Sequence, residues 1–420
     1  MLTLVCYHES MMTEKAKKRR KKAKTEYRDI VNPKQFNEFL DGQGALSNRD
    51  EIAERFDYDW HARKLKFDNH FRGQVLMQAT AYQSTRDHQW AAAHDPLFRA
   101  CGASVEISVS GLSQANRHRP LEPYVVLLQQ VMDTVARLPH RKLRALDKET
   151  WQGITALLQR VELFDATTLK LPPKLADWAK GVGRSETSAG LKLQLKLAGD
   201  SGAVKQMMLT PATGSDSPYL ADLLGDLENQ QGLLFVFDGG YWHLDTYADI
   251  VSQGHDFVTK RGGNIKPHLI EERPVPPETL PSGYTVLQDA LVYLGDDRSQ
   301  TYRMLQVRLT KGETITLLTS LLHAPADQIC LLYRYRWTIE IVFRWLRQTL
   351  QLDHLMSHDP TGLLRQILTA LIVWGLLVIA NQDTDRLSPK QLWRQLQADL
   401  HQAVLEFGYR LGLKGADLAS

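Results

Sequence analysis

The sequence has little cysteine: Cys6, Cys101 and Cys330 stand far apart among 420 residues, and none has a partner at C-x-x-C spacing. Neither a disulfide framework nor a cysteine zinc site is supported, and a reducing, cytoplasmic setting is expected. Long apolar runs are also scarce. The uncharged run Ile367–Ala380 (ILTALIVWGLLVIA) has 14 residues, where a membrane span needs about 20. Charge closes both ends, at Arg365 before it and at Asp383, Asp385 and Arg386 after it. It reads as the buried helix of a large core, and no transmembrane segment is expected. No repeat of 20–50 residues is found, and the first twelve residues lack the charge order of a signal peptide. With 43% hydrophobic and 24% charged residues the composition is globular, which excludes a wholly disordered or collagen-like chain.

Charge of one sign is concentrated. The segment Lys15–Lys24 (KAKKRRKKAK) holds eight basic residues and no acid, and without it the chain has 43 basic against 48 acidic residues. The net +3 therefore resides in one short arm. Such runs are solvated, and they either contact nucleic acid or bind nothing specific.

Periodicity divides the rest. From about residue 33 to 150 the spacing is helical, as at Val125, Leu128, Val131, Met132 and Val135 within Leu121–Leu138. Strand patterns then take over at Val161–Leu171, Leu191–Leu197 (LKLQLKL) and Val204–Leu209. Leu220–Leu227 reads as a helix, Leu233–Phe237 (LLFVF) as a strand covered on both faces, His243–Ser252 as a helix and Asp256–Thr259 as a strand. This alternation predicts a mixed α/β sheet. The proline-rich stretch from Arg261 to Thr285 reads as irregular, followed by strands at Val286–Tyr293, Arg303–Leu309 and Thr314–Thr319. Residues 261–315 are thus expected to form a mostly β insertion, and everything after Ala324 to be helical. The expected domains are a basic arm (1–32), a helical amino-terminal domain (33–150), an α/β domain (151–380) and a helical tail (381–420).

Two acids occupy positions where ligands gather in open α/β sheets, at the carboxyl ends of strands. Asp238 follows LLFVF and precedes Gly239-Gly240, and Asp165 follows Leu163-Phe164. Carboxylates on neighbouring strand ends could share a divalent ion, although Asp-Gly is also an ordinary turn pair. The predicted helix Leu331–Leu350 adds a third acid. At 100° per residue, Tyr333, Arg336, Glu340 and Arg347 fall within a stripe of about 60°, while Leu332, Ile339, Val342, Leu346 and Leu350 form the apolar face. A salt-bridged helix surface, with Arg336 and Glu340 as an i,i+4 pair, satisfies the same spacing.

The order Tyr333-x-x-Arg336-x-x-x-Glu340, with Arg347 seven residues on, resembles the Y-R-E-K signature of the insertion-sequence-four family of DDE transposases. The words LFDATTLKL, LLFVFDGGY and HDFVTKR are similar to that family as well, as are Ser84–Asp87 and Val109–Pro120 (VSGLSQANRHRP) upstream. The likeness extends over roughly residues 55–380. Two positions depart from it: Gly239 stands where the family usually has Arg after its second Asp, and Arg347 replaces the final Lys.

The resemblance implies an RNase H-like core with Asp165, Asp238 and Glu340 as catalytic, metal-binding carboxylates. They would hold two Mg²⁺ ions, or Mn²⁺ in their place, about 4 Å apart. It implies DNA strand cleavage at element ends, a hairpin intermediate and joining to target DNA. Tyr333, Arg336 and Arg347, with Lys260 and Arg261, would contact DNA. Relatives are thought to hold a flipped base with an aromatic of the insertion, where this chain has Tyr284, Tyr293 and Tyr302. In the amino-terminal domain Ser110 is read as the cap of a helix bearing Ser113, Gln114, Asn116 and Arg117, with Asn116 and Arg117 as base-reading candidates. The partners implied are DNA, as terminal inverted repeats and target, and a second copy of the chain, in a bacterial cytoplasm at the nucleoid. Two other activities fit the same residues: a transposase remnant that only binds DNA, and a metal-dependent nuclease that cuts without joining. His354 and His358 share an i,i+4 spacing, but no third ligand accompanies them.

Overall fold

A computed structural model describes residues 37–138, 154–171 and 189–380, with short breaks inside the first and last stretches, together with residue 175. The expectations for the basic arm, for His354 and for the tail after Ala380 lie outside the described residues. The helices are α1 (Arg49–Arg55), α2 (Phe67–Ala79), α3 (Thr85–His94), α4 (Pro96–Ala100), α5 (Val109–His118), α6 (Glu122–Ala136), α7 (Leu220–Leu224), α8 (Leu244–Ser252), α9 (Ala326–Tyr335), α10 (Trp337–Gln348) and α11 (Pro360–Ala380). The strands are β1 (Val161–Leu171), β2 (Ala189–Ala198), β3 (Val204–Pro211), β4 (Leu234–Phe237), β5 (Asp256–Lys260), β6 (Pro267–Glu272), β7 (Thr285–Leu294), β8 (Asp297–Arg308) and β9 (Thr314–Thr319). They form one nine-stranded sheet in the order β3-β2-β1-β4-β5-β9-β8-β7-β6. β1, β4 and β5 run parallel, and β9 joins β5 antiparallel. This is the mixed α/β class expected.

The chain divides into two compact units: Met1–Arg137, Thr168–Leu191 and Arg344–Ser420 make the first, Leu138–Thr167 and Lys192–Phe343 the second. In the first unit α11 packs against α6, α2 and α5. It is long and apolar enough to cross a membrane, but 94% of its most apolar window is buried inside the protein. Gly375 permits this packing, because a Cβ there would lie 2.4 Å from Val131 Cγ1. Arg365, fully buried on α11, donates to the carbonyls of Asn116 and Arg119, so its charge meets the carboxyl end of α5, where a cation is favoured. The helix read over this segment forms as α6, but Val125 lies off its buried face and is exposed. The cap of α5 is Ser108, whose Oγ accepts from Gly111 N, and not Ser110, which lies within the first turn.

In the second unit β4 is buried at every position, as its unbroken apolar run requires. Phe235 and Phe237 pack with Phe164, Tyr247 and Phe257 in one cluster, where the Tyr247 and Phe257 rings stack at 4.7 Å. The alternation in β2 does not mark a solvent face, because both of its faces are covered. Gln194 and Lys196 are buried, and Lys196 pairs at 3.2 Å with the equally buried Glu162. The stretch read as irregular contains a strand, β6, whose exposed PHLIEE sequence lacks the alternation that would reveal it. β7 and β8 form a long antiparallel pair. It carries a buried bidentate ion pair, Arg303 Nε to Asp289 Oδ1 at 2.9 Å and Nη2 to Oδ2 at 2.6 Å.

Candidate active site

Register brings the first two acids together. Phe164 of β1 pairs with Phe237 of β4, and Phe237 with Thr259 of β5. The next residues on these strands are Asp165, Asp238 and Lys260. Asp165 is not at the end of its strand, since β1 continues to Leu171; what ends at Phe164 is its pairing with β4. Beyond Asp238 the chain turns through a 3₁₀ segment, Gly239–Tyr241. A Cβ on Gly239 would stand 2.9 Å from the Lys260 carbonyl oxygen, so the tight passage of two backbones requires glycine here. The residue that departs from the family pattern thus has a local steric cause.

The third acid comes from the helical segment, which is not continuous as expected. α9 ends at Tyr335 and α10 begins at Trp337, with Arg336 as the junction. The apolar face is as predicted, with Leu332, Ile339, Val342 and Leu346 buried. Tyr333 and Arg336 are largely buried too, and they reach the strand acids. Tyr333 OH donates to Asp238 Oδ1 at 3.1 Å. Arg336 Nη1 donates to Asp165 Oδ2, and Nη2 lies 3.5 Å from Glu340 Oε1. The guanidinium is 5.4 Å from the Tyr333 ring centroid. Burial raises the Asp165 carboxyl to about 6, against the pull of Arg336 and the Ala166 N–H, and the charges of Asp238 and Glu340 push the same way. The neighbouring acids hold the Arg336 guanidinium protonated well above its ordinary value, although burial opposes them. Arg336 Nε is buried without an acceptor among the described residues.

Asp165, Asp238 and Glu340 are oxygen donors of the kind that Mg²⁺ and Mn²⁺ take. Their spacing does not fit an ion. Among the described residues no three His, Cys, Asp or Glu side chains are close enough to hold one, and Arg336 stands between Asp165 and Glu340. The remaining candidates are dispersed. Lys260 Nζ lies 3.7 Å from Glu313, and the backbone N–H of Arg261 donates to Thr316. Arg347 is half-buried in the last turn of α10 and falls in the first unit. Asn116 Oδ1 is engaged inside the first unit by His70 Nε2 at 2.9 Å and Gln74 Nε2 at 3.1 Å, whereas Arg117 is exposed and 3.3 Å from Asp359. Of the insertion tyrosines, Tyr302 packs in the core and Tyr284 is buried.

Sequence reasoning missed a polar cluster beside the acids. Asp216 Oδ1 accepts from Lys192 Nζ at 2.9 Å and from Gln194 Nε2 at 2.8 Å, and Tyr241 OH donates to Gln194. Burial, reinforced by Asp165, Asp216 and Asp238, pushes the Tyr241 hydroxyl well above its ordinary range. The signal available is the alternation that puts Lys192 and Gln194 on one face of β2.

The profile of the transposase DDE domain family matches residues 157–376. Over 239 residues the chain is 32% identical to a Sinorhizobium fredii protein named as transposase y4zB, covering 56% of this chain and 64% of that one. It is 27% identical over 221 residues to a transposase named for insertion sequence element IS5377 of Geobacillus stearothermophilus, covering 52% and 55%. It is 24% identical over 273 residues to the transposase for IS231E of Bacillus thuringiensis subsp. finitimus, covering 53% and 55%. The chain therefore spans between 55% and 64% of the length of these relatives. A solved piggyBac transposase synaptic complex with hairpin DNA aligns with 90% of this chain and 83% of its own at a TM-score of 0.44 and 12% identity, too loose a likeness to carry an argument. With the family profile covering more than half of its residues, and Asp165, Asp238 and Glu340 inside the match, this chain belongs to the transposase DDE domain family.

Proposed function

We propose that the chain is the transposase of an insertion sequence of the insertion-sequence-four type, cutting DNA at element ends and joining them to target DNA. The observation that carries this reading is the meeting of Asp165, Asp238 and Glu340, from three distant segments, around Arg336 and Tyr333. A surface salt bridge would explain Arg336 and Glu340 alone. It would not bring the guanidinium to an aspartate 171 positions away on a central strand.

The three acids could ligate Mg²⁺ or Mn²⁺ only once Arg336 had released Asp165 and Glu340, and an ion so held would supply Lewis-acid stabilisation at the phosphate. The chain's own side chains have separate tasks. Arg336 has a planar fork of donors, one of them buried and unused, and it would exchange its carboxylates for a DNA phosphate. Tyr333 orients Asp238 through its hydroxyl. Lys260 and Arg261, at the carboxyl end of β5, would contact the strand backbone, as would Arg347. Residues 33–150 would form the domain that recognises the terminal repeats, with Arg117 and the exposed face of α5 toward the DNA. Two copies acting in the bacterial cytoplasm, at the nucleoid, would bring the two ends together.

The test uses labelled DNA carrying the sequences that flank this reading frame, with Mg²⁺. Hairpin and joined products are expected from the wild-type chain. Glu340→Gln is expected to abolish cleavage while leaving the gel shift. Retained cleavage in that variant removes Glu340 from the site. A shift without cleavage in the wild type points to a DNA-binding remnant, and cleavage without joining to a nuclease.

A further inference from the structure

The first unit carries an aromatic side chain that no part of the cleavage site uses. Trp60 is 72% exposed, in the connection between α1 and α2. Isolated exposed apolar residues are ordinary, but a tryptophan this exposed on a fixed loop is not. The loop is held at both ends. Tyr58 is buried, with its hydroxyl 2.8 Å from His70 Nδ1, and Asp59 Oδ1 accepts from Phe67 N at 2.8 Å. Leu65 packs on Leu112 and Ala115 of α5, and Arg119 Nη1 donates to the Leu65 carbonyl at 2.6 Å. The backbone takes left-handed conformations at Asp57 (φ 50°), just before the first anchor, and at His61 (φ 59°), between the two, which non-glycine residues adopt at a cost. The loop is therefore a shaped platform beside α5.

What surrounds the platform has a consistent chemistry. Trp60 lines an open cavity of about 470 Å³ together with Phe56, Asp57, His118, Pro120 and Glu122, within the size range of small-ligand sites. Trp60 and Phe56 are aromatic walls, and Asp57 and Glu122 are acceptors. Outside the cavity the same loop exposes Arg63 and Lys64, and α5 exposes Arg117. A flat apolar face, carboxylate acceptors and a cationic rim match one ligand in particular. A nucleobase supplies the ring, its exocyclic amino group the donor, and its strand the phosphates.

We infer that the loop 56–66 binds one unpaired, amino-bearing base of a DNA strand. Trp60 is the stacking face, Asp57 and Glu122 accept from the amino group, and Arg63 and Lys64 meet the flanking phosphates. This rests on the DNA-binding reading above and assigns a base contact to the first unit. Cytosine, adenine and guanine carry the amino donor that these acceptors need, and thymine does not.

The experiment is fluorescence anisotropy of the full chain with three labelled 24-base-pair duplexes: fully paired, with one unpaired cytosine, and with one unpaired thymine. The wild type is expected to bind the unpaired-cytosine duplex most tightly. Trp60→Ala is expected to weaken that complex by about five- to 150-fold, the range for one base stacked on an aromatic ring, and to leave the paired duplex unchanged. Trp60→Phe retains most of the affinity. Because Trp60 is exposed, the thermal melt of either variant should match the wild type. Equal losses on all three duplexes, or no loss on any, overturn the site. Stacking loss without preference for cytosine overturns the part given to Asp57 and Glu122. If the wild type binds none of the duplexes, the DNA-binding reading falls with it. If it binds all three alike and ignores Trp60, that reading stands alone.

Discussion

Replacing Arg336 with methionine removes the cation that Asp165 and Glu340 share while keeping much of the apolar stem. Halving a buried ion pair ordinarily costs about 3–5 kcal/mol. Here the cost should depend on pH, because Asp165 can escape by taking a proton. Its carboxyl already stands at about 6 in the folded chain, above the ordinary 3.8. The folded state thus holds this proton more tightly than the unfolded one. The corresponding stability is full below pH 3.8, declines as pH rises, and is lost above about 6, a fall of about 3 kcal/mol. Without the guanidinium the carboxyl would keep its proton to higher pH. Holding it protonated at pH 7 costs about 4 kcal/mol relative to the ionised unfolded form, and the wild type already bears about 3 of these. The variant should therefore lose about 1 kcal/mol at pH 7, about 3 at pH 8 and almost nothing at pH 5. Equilibrium urea unfolding of both chains at the three pH values, in a chelator, measures the difference. A loss above about 3 kcal/mol at pH 5, or equal stability at pH 8, would refute the reasoning.

Two further perturbations test local packing. Gly239→Arg, which restores the residue usual in the family, should destabilise by at least about 1–3 kcal/mol, the overpacking range, because its Cβ meets the Lys260 carbonyl. An unchanged melting temperature would contradict that account of the glycine. Arg303→Met strands the buried Asp289 carboxylate and should cost about 3–5 kcal/mol in urea unfolding. The double variant with Asp289→Leu should recover most of that loss, and failure to recover would mean that the pair's role is not electrostatic.

The sequence was most readable where one rule of local physics decided the outcome. β1 and β9 have the predicted limits because each is an apolar strand pattern bounded by turns. Asp238 could be placed at a strand end because LLFVF can only be a covered strand followed by a glycine turn. What could not be read depends on partners remote in the chain. The pairing of Phe164 with Phe237, which sets Asp165 beside Asp238, is a register, and registers are fixed by tertiary contacts. Nothing in the spacing of Tyr333, Arg336 and Glu340 announces a helix junction at Arg336. The strand alternation places Lys192 and Gln194 on one face, and only the folded sheet shows that they serve Asp216. The helical part was legible as helices, but not the commitment of Asn116 to His70 and Gln74, nor the exposure of Val125.

The pairing of β5 with β9 has a consequence for how such chains can vary. Lys260 lies opposite Leu317, so the polypeptide leaves the central sheet and returns to it at adjacent points. The excursion between them, β6 to β8, is added outward along the sheet rather than threaded through it. Its hairpins could lengthen, shrink or be exchanged while the entry and exit points stayed fixed. Evolution could then remodel this flank at little risk to the distance between the two aspartates and the helix bearing the third acid.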